Sequence, residues 1–223
     1  DFGKVGVREQ VLVKAKKLYP WDLEAVKLRF ACLVREREAG ILRDLVKQIG
    51  QIGHGINPAP FIEAAEETIH AEVTSLTALL DRVLEANLPK VLADGQAERL
   101  QQVSGLTFTH LDGGVGRLLT DDEVSNLAIP RGSLNREERV EIETHVQHTY
   151  RFLTRIPWSE GLHKLPAIAG SHHERLDGSG YPHGLTDSEI PAQSKIMSVA
   201  DIFDALTAWD RPYKKAVPLE KAL

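Results

Sequence analysis

Apolar residues recur at helical spacing along most of this chain. Between Trp21 and Ile49, the residues Leu23, Val26, Phe30 and Leu33 step by three and four with charges between them, as on one face of an α-helix. Pro20 and Asp22 mark its start. Gly50-Gln-Ile-Gly-His-Gly-Ile-Asn-Pro58 breaks the pattern, which resumes from about Phe61 to Ala86. There Ile69, Val73, Leu76, Leu80 and Val83 make a short coiled-coil-like seam. Two long helices around a short breaker predict an antiparallel hairpin.

Residues 94–103 read as a short helix. Leu106 to Leu111 then alternates, Asp112-Gly-Gly follows, and Val115 to Leu119 is apolar again, the pattern of a small β-hairpin. Thr120-Asp-Asp-Glu123 has capping-box spacing and opens another helix. Asn135, with Glu138 three residues on, starts the next one, whose inner face carries Ile142, His145, Val146, Thr149 and Phe152. His148 falls on its polar side. Pro166 suits the first turn of a helix ending near Glu174. The last helix, about Pro191 to Ala208, is apolar nearly all round and is predicted to be buried. A carboxylate inside it, Asp201, would cost several kcal/mol unless paired or metal-bound.

Size and composition narrow the class. The 223 residues can form one large or two small domains, and 42% hydrophobic with 26% charged content is ordinary for a soluble protein. No apolar run approaches the ~18 residues of a membrane span. A single cysteine, Cys32, excludes an internal disulfide and fits a reducing cytoplasm; its expected role is helix packing. A net charge of −5 gives no sign of a nucleic-acid polymer as partner. Positive charge for an anionic substrate is local, at Lys4 and in Arg211 to Lys215. His54 and His70 read as solvated or packed, and the glycines around His54 lack the Gly-Lys-Ser/Thr of a phosphate loop. No Gly-x-Ser-x-Gly elbow is present.

The densest chemistry runs from His172 to Pro182: His-His-Glu-Arg-Leu-Asp-Gly-Ser-Gly-Tyr-Pro. Successive helical side chains diverge by about 100°, so adjacent histidines can face one point only where a helix ends or bends. At such an end a metal could draw both rings inward, and imidazole with carboxylate suits first-row metals.

That string is similar to the signature of the HD-GYP family of metal-dependent phosphohydrolases, with Gly180-Tyr181-Pro182 as the eponymous turn. The resemblance continues through Ile190-Pro191, Val199 to Thr207 and Arg211-Pro-Tyr-Lys214. It reaches back to Asp1-Phe-Gly-Lys4, covering roughly 1–20 and 134–223. It implies a mainly α fold: an HD-type helical bundle, interrupted by residues 21–133 as a mostly helical insertion. The insertion holds the hairpin at about 22–86 and a small mixed segment, with the β-hairpin, at about 91–127.

For the site, the resemblance implies metal ligands at Asp1, His145, His172, His173 and Asp201. Glu174, Asp177 and Asp204 would stand behind them, Asp204 holding a ligand histidine by its free ring nitrogen. Lys4, with Asp1, would serve the reaction, and Lys4, Tyr181, Arg211 and Lys214 the substrate. The family's histidine immediately before Asp1 is not in this sequence, and a chain cut at that point has an impaired site. Two or three divalent ions, iron or manganese, would activate a water to hydrolyse cyclic di-GMP to the linear dinucleotide and on to GMP. The alternatives are a degenerate signalling domain without turnover, or a metal phosphohydrolase for another nucleotide or phosphoester. The Gly180-Tyr181-Pro182 loop would dock a cyclic-dinucleotide synthase domain, a sensor module would lie upstream, and the helical hairpin would form a homodimer.

Overall fold

The computed structural model describes residues 2–51, 56–92, 95–110, 112–208 and 216–222, the side chain of Phe2 aside. A 3-10 turn, Phe2–Gly6, is followed by α1 (Glu9–Leu12), α2 (Pro20–Gln51), α3 (Ala59–Ala86) and α4 (Gln96–Ser104). Strands β1 (Thr107–Thr109) and β2 (Val115–Arg117) come next. Then follow α5 (Asp121–Leu127), α6 (Arg136–Leu153), a turn at Glu160–Leu162, α7 (Leu165–Gly170), α8 (Ala192–Thr207) and α9 (Leu219–Ala222). The chain packs as two units, one of residues 1–15 with 134–223 and one of 16–133.

In the second unit, α2 lies along α3, and its buried residues are Leu23, Val26, Phe30 and Leu33, one face at 3- and 4-residue steps. From α3 come Leu76, Val83 and Ala86. Leu100, Val103, Phe108, Leu118, Leu119 and Leu127 close the cluster from α4 onward. Strands β1 and β2 pair antiparallel with Phe108 opposite Gly116. Thr120 and Glu123 form the capping box of α5, and Glu123 also pairs with Arg29 of α2. Residues 16–20 go with this unit: Lys17 Nζ donates to the Leu127 carbonyl at 2.9 Å, and the Leu18 amide donates to Asn87 Oδ1 at 2.7 Å.

In the first unit, α6 is the central element, touched by the 3-10 turn, α1 and α7. Asn135 and Glu138 make its capping box, as the spacing predicts. The Glu138 carboxylate also takes two bonds from the Lys14 ammonium, at 2.7 and 2.8 Å, in a buried pair.

Three expectations are corrected here. The helix that starts at Pro166 ends at Gly170 rather than near Glu174, so His172 and His173 lie in the turn beyond it. On α6, Phe152 is exposed and Ile142 only half-buried; the inner face is Glu138, His145, Val146 and Thr149. Helix α8 is not buried all round: Ile196, Val199 and Ile202 are exposed, and Ser194 is its buried residue. The physical reason is that α8 packs through hydroxyls. Ser194 Oγ donates to the Ile168 carbonyl of α7 at 2.9 Å, and Ser198 Oγ bonds the His172 carbonyl. Asp201 is accordingly half-exposed, and the cost of a buried lone carboxylate does not apply to it.

Candidate metal centre

Three imidazoles meet in the first unit. His145 comes from the buried face of α6, and His172 and His173 from the turn after α7. One nitrogen of each lies within 4.8 Å of the others. The ring centroids are 6.0 Å apart for His145 and His172, 5.1 Å for His145 and His173, and 4.1 Å for the adjacent pair. The break of helix at Gly170 lets neighbouring side chains converge, because in a helix they would point about 100° apart.

Backbone bonds set two of the tautomers. His145 Nδ1 lies 2.5 Å from the Ile142 carbonyl and His172 Nδ1 lies 2.6 Å from the Ala169 carbonyl. A carbonyl accepts only, so Nδ1 carries the proton in each ring and the buried Nε2 carries the lone pair. Burial holds the His145 imidazole below its ordinary value, and burial with the neighbouring His172 and His145 brings His173 down to about 4. Both are therefore neutral near pH 7, the form that binds a cation.

This donor set fits a first-row metal ion. Nitrogens about 2.1 Å from one ion stand at most about 4.2 Å apart, so closing on it asks each ring for a fraction of an ångström. Asp201 is outside the 4.8 Å group. Its negative charge works against the lowering of His145 and His173 by burial.

Segments around the imidazoles hold them in register. The Gly3 amide donates to Thr149 Oγ1 at 3.0 Å, and a Cβ on Gly3 would overlap the His145 carbonyl. The backbone at Gly3 thus lies directly on the helix of His145, and the positive charge of Lys4 works to lower the pKa of His145 and His173. Tyr181 stacks on His173 with centroids 4.9 Å apart, and its amide donates to the His173 carbonyl. Burial, with Glu143 and Asp201 nearby, pushes the Tyr181 phenol up to about 12.

Glu174 and Asp177 serve the loop that carries Tyr181. The buried Glu174 carboxylate accepts from the His183 and Leu185 amides at 2.7 and 2.9 Å. Asp177 Oδ1 accepts from the Ser179 amide and hydroxyl, and residue 177 bridges to Thr186. Gly180 runs against the backbone of Glu174 and Arg175 with no room for a Cβ. Asp204 is exposed, and the Nδ1 atoms of His145 and His172 lie against backbone carbonyls. Asp1, Arg211, Lys214 and His54 lie outside the described residues. His148 is exposed beside Gly6. The sequence reading missed Thr149 as a partner of Gly3, and Ser194 with Ser198 as the inner face of α8; small hydroxyls at i and i+4 were the available signal.

Comparison with known proteins decides the family. The HD domain family matches residues 68–223, well over half of the chain. The chain belongs to the HD domain family. Its Gly180-Tyr181-Pro182 turn and relatives make it the HD-GYP type. This HD-GYP chain is 30% identical over 188 residues to 3'3'-cGAMP-specific phosphodiesterase 1 of Vibrio cholerae, covering 78% of the chain and 42% of that protein. It is 41% identical over 101 residues to 3'3'-cGAMP-specific phosphodiesterase 3 of the same organism, covering 45% and 21%. Over 91 residues it is 46% identical to a cyclic di-GMP phosphodiesterase of Thermotoga maritima, covering 41% and 24%. The HD-GYP chain thus spans less than half the length of these relatives. Among the described residues, no helix is long and apolar enough to cross a membrane.

Proposed function

We propose that this chain carries the metal-dependent catalytic core of a cyclic-dinucleotide phosphodiesterase, with residues 1–15 and 134–223 as that core. The observation that carries the reading is the convergence of His145, His172 and His173 within 4.8 Å, two with Nδ1 against a backbone carbonyl. His145, His172, His173, Asp201 and Asp1 would hold two or three divalent ions, iron or manganese. Bound there, such ions supply a water acidified to near neutral pH and neutralise charge on the phosphoryl oxygens.

The residues of the chain do the rest. Lys4 adds positive potential beside the imidazoles, where a phosphodiester would lie. Tyr181, neutral at any physiological pH, keeps its ring stacked on His173 and flanks the imidazole cluster. Glu174 and Asp177 hold the loop of Tyr181 through its amides. Arg211 and Lys214 would meet the outer phosphate. The half-buried Gly180-Tyr181-Pro182 turn of that loop is where a cyclic-dinucleotide synthase domain would dock.

Cyclic di-GMP, opened to the linear dinucleotide and then to GMP, is the substrate we assign. A second reading, 3'3'-cGAMP, is favoured by one observation: the relative matched over 78% of the chain bears that name. The test is turnover of both dinucleotides by protein loaded with manganese or iron(II), followed by chromatography. We expect linear product from cyclic di-GMP, and none from a folded His173→Ala variant with reduced metal content. Stoichiometric metal without turnover of either dinucleotide would sink the assignment; absence of bound metal would point to a signalling domain.

A further inference from the structure

Helix α2 has two apolar seams, and among the described residues one is buried and the other exposed. Leu23, Val26, Phe30 and Leu33 face α3 and are buried. On the opposite side, Trp21, Ala25, Leu28, Cys32, Arg35, Ala39, Leu42, Val46 and Ile49 follow one another at alternating steps of four and three. This is the heptad pattern of a coiled-coil seam, about 42 Å long at 1.5 Å per residue, with Arg35 as its polar member. Every one of the nine is exposed: Leu28 is 67% and Val46 69% exposed, whereas Val26 and Phe30 on the other face are 0% and 2%. So long a contiguous apolar stripe on a folded surface marks an interaction site.

We infer that this outer face of α2 pairs with the same face of a second copy of the chain, as an antiparallel two-stranded coiled coil. The inference is independent of the proposed activity. The sizes along the stripe are self-complementary in that sense. Residues 21, 28, 35, 42 and 49 are large, and residues 25, 32 and 39 are small, with Val46 intermediate. In a parallel pair each layer joins equivalent positions, so all-large layers would alternate with all-small ones, and no helix separation suits both. In an antiparallel pair each layer joins a large residue to a smaller one: Trp21 with Val46 of the second copy, Leu42 with Ala25, Leu28 with Ala39. Arg35 then faces Cys32 rather than another arginine.

A self-complementary patch of this kind makes a closed two-fold dimer rather than a filament.

Sedimentation of the purified chain across the micromolar range tests the pairing, alongside the double variant Leu28→Glu/Leu42→Glu. Both leucines lie outside the core, so the variant should keep its helicity and its melting curve. We expect a dimer from the parent chain and a monomer from the variant; a monomeric parent, or a variant that still dimerises, overturns the proposal. Direction is read by cross-linking in a Cys32→Ala background. Leu28→Cys chains and Ala39→Cys chains should form a disulfide when mixed and not when oxidised separately. Self-cross-linking of Leu28→Cys chains, or a dimer in which the mixture stays reduced, would refute the antiparallel register.

Discussion

Gly3 lies against the backbone carbonyl of His145, with no space between them for a side chain, and its amide donates to Thr149 Oγ1 at 3.0 Å. One glycine and one threonine thereby tie the N-terminal segment to the helix that presents an imidazole. Gly3→Ala should force the segment off α6 and lower metal content while most helicity remains, read by elemental analysis beside circular dichroism. Thr149→Val, which leaves the Gly3 amide without its acceptor in a buried place, should cost about 1–3 kcal/mol in chemical denaturation.

The Lys14–Glu138 pair is buried, and Glu138 is also the third residue of a capping box. Removing the negative charge leaves the Lys14 ammonium in the interior without its carboxylate. We expect Glu138→Gln, which keeps the shape of the cap, to destabilise the first unit by about 3 kcal/mol. Adding Lys14→Met should return most of that loss. A single variant as stable as the parent would mean the pair is hydrated in solution.

Glu174 links the turn of the histidines to the loop of Tyr181, accepting from the amides of His183 and Leu185. Glu174→Ala should cost about 3 kcal/mol, two bonds to a buried carboxylate. Amide hydrogen exchange locates the effect. Faster exchange is expected at His183 and Leu185, with α6 as protected as in the parent.

Acid should weaken the metal-free protein through its imidazoles. His173 has an ordinary value of 6.5 when unfolded and about 4 when folded, so the unfolded chain takes up the proton first as pH falls. Its contribution is complete above about 6.5 and is eroded between there and about 4. His145, also lowered by burial, acts in the same direction. Denaturation of chelator-treated protein at stepwise lower pH should trace that decline, and a His173→Phe variant should flatten it. A parent whose stability is level over that interval contradicts the assigned burial.

Much of the molecule was legible before folding. The long helices, their seam of Leu23, Val26, Phe30 and Leu33, both capping boxes and the small hairpin all follow from local rules, because each depends on residues a few positions apart. The inward aim of His145 was legible for the same reason, since a helical period assigns every residue to a face. The string from His172 to Pro182 announced its chemistry by composition.

What a period cannot say is which face meets which neighbour. The apolar residues of α8 predict burial, yet the helix docks by Ser194 and Ser198 and leaves Ile196, Val199 and Ile202 outside, because two carbonyls at its inner face needed donors. In α2 both seams satisfy the helical rule, and only the packed chain distinguishes the one that meets α3 from the one left open. The meeting of His145 with His172 and His173 is likewise a tertiary fact: it depends on α7 ending at Gly170 beside α6. Local sequence dictates elements and faces, where interactions span a turn of helix; the partner of each face is decided by contacts between segments far apart in the chain.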